Sequence, residues 1–273
     1  MTTPPPLIDS HCHLDFDEFA SELDDIVARA RRAGVVRMVT IGTRVRRFDR
    51  VLAIANRFDD VYCTVGTHPH QAGEEIDVTA DQLVAIAEAN PKVVGIGECG
   101  LDYHYDNSPR EAQAEGFRRH IEASRRTGLP LIVHTRAADE DTWRILEECR
   151  QDGPFNGVLH CFSSGRELAM RAVAMGFYIS LSGIVTFNKS ADLRAIVADL
   201  PADRLLVETD APFLAPPPHR GKRNEPAYVV HTHAVVAEAK GLDVAVSAVQ
   251  TTQNFFRLFD KVPAPSDLAS VAA

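Results

Sequence analysis

Eight short runs of apolar, mostly β-branched residues recur along the chain at a nearly constant spacing. They begin at residues 7, 35, 61, 93, 130, 156, 177 and 204, so consecutive starts are 28, 26, 32, 37, 26, 21 and 27 residues apart. One strand, one helix and two loops together take about 30 residues. The runs are mostly continuous rather than alternating in polarity, which is typical of parallel strands buried on both faces. The spacing therefore predicts eight repeats of a strand followed by a helix.

The segments between the runs have the pattern of amphipathic helices. Residues 18–34 place five apolar side chains on one stripe, and Gly34 suits a C-cap. In residues 108–128, Pro109 suits a first turn and Gly128 suits the end of the helix. With no break in composition, the pattern predicts an α/β fold of the (β/α)8 TIM-barrel class. We expect one domain over residues 1–262 and a Pro- and Ala-rich C-terminal tail over residues 263–273.

Composition excludes several classes of protein. The 273 residues are 45% hydrophobic and 25% charged, as in ordinary globular domains. The N-terminal residues lack the pattern of a signal peptide, and no apolar stretch approaches the roughly 18 residues of a membrane span, so we expect a cytoplasmic protein. Five cysteines without CxxC pairing indicate neither a disulfide framework nor a zinc knuckle. The net charge of 29 − 38 = −9 argues against a broad basic surface that coats duplex DNA.

Histidines and carboxylates collect directly after the predicted strands. Six of the 11 histidines occupy such positions, and the carboxylates there include Glu98, Asp102, Glu208 and Asp210. In a (β/α)8 barrel the reactive face lies at the carboxyl ends of the strands. His11 and His13 are two residues apart in an extended segment, so their side chains leave the same face.

Imidazole and carboxylate groups together are the ligands of Zn²⁺ and similar divalent ions. The candidate ligands at the strand ends are His11, His13, Glu98, His134, His160 and Asp210. Six are more than one tetrahedral site needs, which suggests two ions bridged by a carboxylate, with Glu98 as the bridge. Asp210 would also accept a proton from the attacking water.

Less specific interpretations remain open for single residues. His134 or His160 alone would more often be a hydrogen-bonded core histidine than a ligand, and it is their combination with the His11 and His13 pair that favours metal. His68 suits either a substrate contact or a structural turn around Pro69. Glu208 suits either a role in orienting a ligand or an ion pair at a strand end.

Several ordered motifs resemble one known family. They are DSHCHLD, GTHPH, GIGECGLDYHY, PLIVHTR, LHCFSSG, SLSG, ETDAPFLAP and RGKRNEPAYV, and they run from residue 9 to about residue 230. Together they resemble the TatD family of metal-dependent deoxyribonucleases, within the amidohydrolase superfamily. The resemblance implies a TIM barrel with two divalent ions (Zn²⁺, Mg²⁺ or Mn²⁺), held by the residues that match its ligands: His11, His13, Glu98, His134, His160 and Asp210.

The resemblance also implies an activity. Family members hydrolyse DNA phosphodiesters, often from the 3′ end of single strands, by attack of a metal-bound hydroxide. We therefore expect a DNA substrate, Asp210 and Glu208 as catalytic residues, and no membrane or obligate protein partner. The expected substrate contacts are His68 and the loop after the last strand, with Arg220, Lys222, Arg223 and Asn224. That loop alternatively only caps the barrel through ion pairs.

Two further functions fit the same residues. One is hydrolysis of an ester or amide, either in D-aminoacyl-tRNA or in a small metabolite such as a lactone. The other is a nucleic-acid or partner-binding protein with a degenerate site, which the complete ligand set disfavours.

Overall fold

The chain forms eight parallel strands in one sheet, in the order β1 to β8. The structure is a computed structural model and describes residues 5–265. The strands are β1 Leu7–Cys12, β2 Val35–Thr40, β3 Val61–Val65, β4 Val93–Asp102, β5 Leu131–Arg136, β6 Gly157–Leu159, β7 Tyr178–Leu181 and β8 Leu205–Val207. A parallel bridge between Cys12 and Ala211 joins the ends of the first and last strands. The predicted (β/α)8 barrel is confirmed, and a strand overlaps each of the eight apolar runs.

Helices follow the strands along the chain. They are α1 Leu23–Arg32, α2 Phe48–Arg57, α3 Ala80–Ala89, α4 Arg110–Thr127, α5 Asp139–Arg150, α6 Arg166–Met175, α7 Ala191–Asp199, α8 Val229–Lys240 and α9 Val244–Leu258. Helix α1 begins at Leu23, later than the first apolar residue of its predicted segment, Phe19. Helix α4 ends at Thr127, directly before the predicted stop at Gly128. A short 3₁₀ turn at Asp17–Phe19 precedes α1, whereas Gly128 caps α4 in the left-handed conformation.

Contacts divide the chain into two compact units. The first unit is Met1–Val39 with Ser180–Ala273, and the second is Thr40–Ile179. In the first unit, α9 supports the first and last strands: Thr252 donates to the Pro6 carbonyl at 2.9 Å and Asn254 to the Leu205 carbonyl at 2.9 Å. In the second unit, Leu83, Ile96 and Phe117 are among the fully buried core side chains. The single domain over residues 1–262 stays a prediction.

The remaining predictions about the fold have mixed outcomes. None of the five cysteines forms a disulfide. Of the predicted tail, residues 266–273 lie outside the described residues, and Arg37 donates to the Pro263 carbonyl at 3.0 Å. Across residues 5–265, no helix has the length and apolar character needed to cross a membrane.

Candidate metal centre

Three ligand atoms converge in the first unit. His11 Nε2 and His13 Nε2 lie 3.3 Å apart, and Asp210 Oδ1 lies 3.6 Å from the first and 3.3 Å from the second. Ligand atoms held about 2.1 Å from a tetrahedral ion lie about 3.4 Å from one another. The three atoms therefore have the donor chemistry and the spacing of one face of a divalent-ion site. We refer to His11, His13 and Asp210 as the first ligand set.

Backbone hydrogen bonds between the ends of β1 and β8 place the first ligand set. The Asp210 N–H donates to the His11 carbonyl at 2.9 Å, and the His13 N–H donates to the Ala211 carbonyl at 2.8 Å. Asp210 has a φ of 55°, in the left-handed region that is unfavourable for a residue with a Cβ. Such strain is typical of functional positions, where the surrounding structure maintains it.

Asp9 of β1 links this strand to the end of β8 through buried hydrogen bonds to Thr209. Its carboxylate accepts the Thr209 N–H at 2.8 Å and the Thr209 hydroxyl at 2.5 Å. Burial raises the pKa of Asp9 to about 8, against the hydrogen bonds from Thr209, and the charge of Glu208 raises it further. Glu208 is itself fully buried, and its predicted catalytic role stays a prediction.

A second group of ligand atoms converges in the second unit. Glu98 Oε1 lies 3.1 Å from His134 Nδ1 and 2.7 Å from His160 Nε2, and the two ring nitrogens are 3.4 Å apart. The shortest of these distances also suits an ordinary hydrogen bond. Three nitrogen and oxygen ligands around one point nonetheless match a divalent ion. We refer to Glu98, His134 and His160 as the second ligand set.

His68 lies beside the second ligand set. Its Nε2 is 3.3 Å from Glu98 Oε1, and His68, Glu98 and His134 form a group that could hold a metal ion. Burial lowers the pKa of His68 to about 4, although Glu98 opposes the shift. The ring is therefore neutral near pH 7 and can accept as well as donate a hydrogen bond. Its Nδ1 accepts the His70 N–H at 3.1 Å at the start of the 3₁₀ turn Pro69–Gln71, which is the structural role that the sequence offered as the alternative to a substrate contact. The substrate contact stays a prediction.

An irregularity in β4 lies at Glu98, the carboxylate of the second ligand set. The pairing of β4 with β5 shifts register between Ile96 and Cys99. Gly100 follows with a φ of 132°, and a Cβ there would lie 2.0 Å from the His134 carbonyl oxygen. Only glycine allows this close approach of the two strands. The close approach of β4 to β5 therefore depends on a glycine two residues after Glu98.

Asp102 orients the histidines of this region. Its Oδ2 lies 3.0 Å from His134 Nε2 and 3.0 Å from His70 Nε2, while Oδ1 accepts the backbone N–H of Tyr105 at 2.9 Å. Burial opposes ionisation, but the bonds from His134 and Tyr105 outweigh it and hold the pKa of Asp102 below its usual range. An ionised carboxylate only accepts hydrogen bonds, so His134 Nε2 carries the proton. His134 Nδ1 is then the nitrogen left to bind a metal.

The four predicted substrate contacts in the loop after β8 have three different environments. Arg220 and Lys222 are exposed, and the Arg220 guanidinium lies 3.6 Å from the centre of the Phe187 ring. Arg223 forms an ion pair with Glu22 at 2.9 Å. Asn224 is fully buried and donates to the carbonyls of Thr209 at 2.9 Å and Phe213 at 2.7 Å. The Asn224 amide therefore bonds the backbone of this loop, and its predicted contact with substrate stays a prediction.

Comparison with known proteins gives the family. The family described as TatD related DNase matches residues 8–260. The chain belongs to the TatD family. Among the relatives of this TatD-family chain, an uncharacterized metal-dependent hydrolase of Bacillus subtilis, YabD, is 40% identical, and the match covers 93% of this chain and 98% of the relative. A 3′-5′ ssDNA/RNA exonuclease TatD of Escherichia fergusonii is 35% identical over 93% of this chain and 98% of its own.

A solved structure agrees. The TatD homologue YJJV of Escherichia coli superposes with a TM-score of 0.87 at 32% identity, covering 94% of this chain and 98% of that one. This TatD-family chain is a metal-dependent hydrolase, and groups of histidine and carboxylate side chains able to hold metal are present in it. The number and identity of its ions, and the assignment of each ligand, remain predictions.

The residues of both ligand sets could be predicted from the sequence, but the hydrogen bonds that position those ligands could not. Asp9 and Thr209 are 200 positions apart, so no local pattern pairs them. Asp102 stood at a strand end, which was the available signal, but its link to His70 and His134 depends on the fold. Asn224 was predicted from its amide alone, and the structure shows that amide already bonded to the backbone.

Proposed function

We propose that this TatD-family chain is a deoxyribonuclease that removes nucleotides from the 3′ end of single-stranded DNA with two divalent ions, one on each ligand set. The observation that carries the proposal is the pair of ligand sets, each at the carboxyl ends of its strands and each with ligand-atom spacings suited to one ion. A relative named as a 3′-5′ ssDNA/RNA exonuclease supports the choice of substrate. Divalent ions bound there would activate water and neutralise charge on a phosphodiester.

Asp210 and Glu208 have different parts in this proposal. The side chain of Asp210 is 14% exposed, so it can reach water and accept the proton that an attacking water loses. Glu208 is 0% exposed and borders Asp9, which in turn bonds Thr209. We assign Asp210 to proton transfer. We assign Glu208 to a supporting role through the buried residues Asp9 and Thr209, of which Thr209 directly precedes Asp210.

Phosphate binding falls to the exposed cations of the loop after β8. Arg220 and Lys222 are exposed, although Arg220 also lies over the Phe187 ring and donates to the Ala215 carbonyl at 3.2 Å, and Arg223 pairs with Glu22. A few cations near a reactive centre are sufficient for a few phosphates, in spite of the net charge of −9. Weak phosphate contacts of this kind should make KM increase with salt concentration.

The experiment uses a single-stranded oligonucleotide labelled at either its 3′ or its 5′ end, incubated with Mg²⁺, Mn²⁺ or Zn²⁺. Degradation from the 3′ end should release the 3′ label first as a mononucleotide and shorten the 5′-labelled strand stepwise. Chelator and Asp210→Asn should each reduce the rate by about 100-fold or more. Cleavage that continues unchanged in chelator would contradict the proposal.

The same preparation tests the other hydrolase functions predicted from the sequence. Aminoacyl esters, lactones and cyclic amides are offered in place of the oligonucleotide. Turnover of one of these, with no phosphodiester cleavage under any metal, would replace the nuclease assignment by an ester or amide hydrolase. The predicted cytoplasmic location is independent of this outcome and stays a prediction.

A further inference from the structure

Two aromatic side chains lie beside the first ligand set. Phe16 stacks on the His13 ring with centres 4.9 Å apart, and Phe213 meets Phe16 edge-to-face at 5.8 Å. The Phe213 ring centre is also 6.3 Å from that of His13. Phe213 is 49% exposed, one of few large apolar side chains so exposed among residues 5–265. We refer to Phe16 and Phe213 as the aromatic pair.

The exposed ring of Phe213 is carried by a fixed backbone. Its N–H donates to the Asp210 carbonyl at 2.9 Å, and its carbonyl accepts from Asn224 Nδ2 at 2.7 Å. Asn224 also bonds the Thr209 carbonyl, so one buried amide ties Phe213 to the segment that carries Asp210. A rigidly held and exposed aromatic face loses little conformational entropy when a flat ligand stacks on it.

The surroundings of the aromatic pair indicate the chemistry of that ligand. One side is the first ligand set, with its carboxylate and imidazoles. The same loop continues to the exposed cations Arg220 and Lys222. A flat aromatic group joined to a phosphate matches this combination, and a nucleotide is such a group. A purely apolar peptide or lipid would leave the cations and the ligand set without a purpose.

We propose that the aromatic pair is a stacking subsite for an unpaired nucleobase next to the phosphodiester that is cleaved. This proposal rests on the proposed nuclease function and adds how the substrate is selected. A base reaches the Phe213 ring only when it is not stacked and paired within a duplex. The subsite would therefore favour single-stranded ends without reading sequence, because every base offers a π face.

The test measures binding separately from cleavage. A 5′-labelled single-stranded oligonucleotide is titrated with the full chain in chelator, and Kd is followed by fluorescence anisotropy. Two further oligonucleotides lack the base at the last or at the penultimate 3′ position. For the wild-type chain, one of the two abasic strands should bind on the order of 10-fold more weakly than the intact strand.

Variants at residue 213 identify the ring as the cause. Phe213→Ala should weaken binding of the intact strand by a similar factor and abolish the difference between intact and abasic strands. Phe213→Leu should behave like Phe213→Ala, because it keeps apolar volume without a π face, whereas Phe213→Trp should preserve the difference. Met170→Ala is the matched control, since Met170 is 46% exposed on α6 and should change nothing.

Each outcome has a defined meaning. Equal binding of intact and abasic strands by the wild-type chain, or an unchanged base dependence in Phe213→Ala, would overturn the subsite. KM with Mn²⁺ present should increase in parallel with Kd, with kcat nearly unchanged. Efficient cleavage without base dependence would reject the subsite alone. Base-dependent binding without cleavage under any metal would reject the nuclease function and retain the subsite.

Discussion

Asp102 joins two histidines through one carboxylate oxygen. Because Oδ2 lies 3.0 Å from both His134 Nε2 and His70 Nε2, the charge on Asp102 fixes which nitrogen of His134 carries the proton. Asp102→Asn keeps the shape of the side chain, but one of its two terminal atoms becomes a donor. The amide oxygen is needed by the N–H groups of His104 and Tyr105, so the NH₂ would face the His134 N–H.

We expect Asp102→Asn to weaken metal binding at the second ligand set by about 10- to 100-fold, as is usual when the carboxylate behind a ligating histidine is changed. Isothermal titration with Zn²⁺ or Mn²⁺ measures this, and binding at the first ligand set should be unchanged. The control is Asp106→Asn, because Asp106 is exposed and pairs with Arg110 at 2.9 Å. Equal metal affinity in Asp102→Asn and the wild-type chain would remove the orienting role.

At the residue scale, the sequence could predict groups that bind but not groups that support them. His11, His13 and His134 follow or end apolar runs, and that local signal is sufficient to place them at strand ends. The partners of Asp9 and Asn224 are set by which loops the fold brings together. A buried amide and an exposed amide also look identical in sequence, so the sequence could not show that the Asn224 amide bonds two backbone carbonyls.

Strand β4 contains two irregularities, a shift in its register with β5 and a glycine with a positive φ. Its register with β5 shifts between Ile96 and Cys99, and Gly100 continues the strand with a positive φ. The sequence predicted the strand over residues 93–97, and the structure extends it to Asp102. Apolar periodicity ends where the polar residues of the site begin, so the last residues of such strands escape a pattern based on hydrophobicity.

We expect Gly100→Ala to damage both stability and metal binding. The new Cβ would lie 2.0 Å from the His134 carbonyl oxygen, so the β5 backbone must move and carry a ligand of the second set with it. The loss of unfolding free energy should exceed about 2 kcal/mol, since a strained φ and a backbone clash combine. Urea denaturation and metal titration measure the two effects.

Gly116→Ala is the matched control for that variant. Gly116 lies within α4, and a Cβ there would come no closer than 4.0 Å to Ala72. Because alanine is the better helix former, this variant should be stabilised by up to about 1 kcal/mol. Similar destabilisation of both variants would show that the effect at Gly100 is not specific to its contact with His134.

At the scale of the whole molecule, two buried histidines make stability depend on pH. Burial lowers the pKa of His120 to about 4 and that of His233 to about 4. His120 Nε2 accepts the Thr67 N–H at 2.9 Å and its Nδ1 donates to the Gly116 carbonyl at 2.7 Å, so the neutral ring is the bonded form. Both values lie below the ordinary value of 6.5 for an unfolded histidine.

The unfolded chain therefore binds more protons than the folded chain between pH 6.5 and about 4. The contribution of the two histidines to stability should be complete above pH 6.5 and fall as the pH decreases toward 4, by about 3 kcal/mol for His120. Asp9, with a pKa raised to about 8, contributes a slope of the opposite sign. Urea denaturation across this range measures the slope, and His120→Gln should reduce it. His104→Gln changes an exposed histidine and should leave the slope unaltered; a slope equally steep in His120→Gln would contradict the assignment.

Metal content links the two ligand sets to the folded state as a whole. An ion that binds only the folded chain raises Tm in proportion to the logarithm of its concentration, so chelation should lower Tm and added Zn²⁺ or Mn²⁺ should restore it. The wild-type chain should hold two ions, and the double variant His11→Ala, His13→Ala should hold one, on Glu98, His134 and His160. Elemental analysis after dialysis counts the ions. A double variant that still holds two ions would disprove the first ligand set. Loss of both ions would instead require one ligand shared by the two ions, which is the bridging role that the sequence predicted for Glu98.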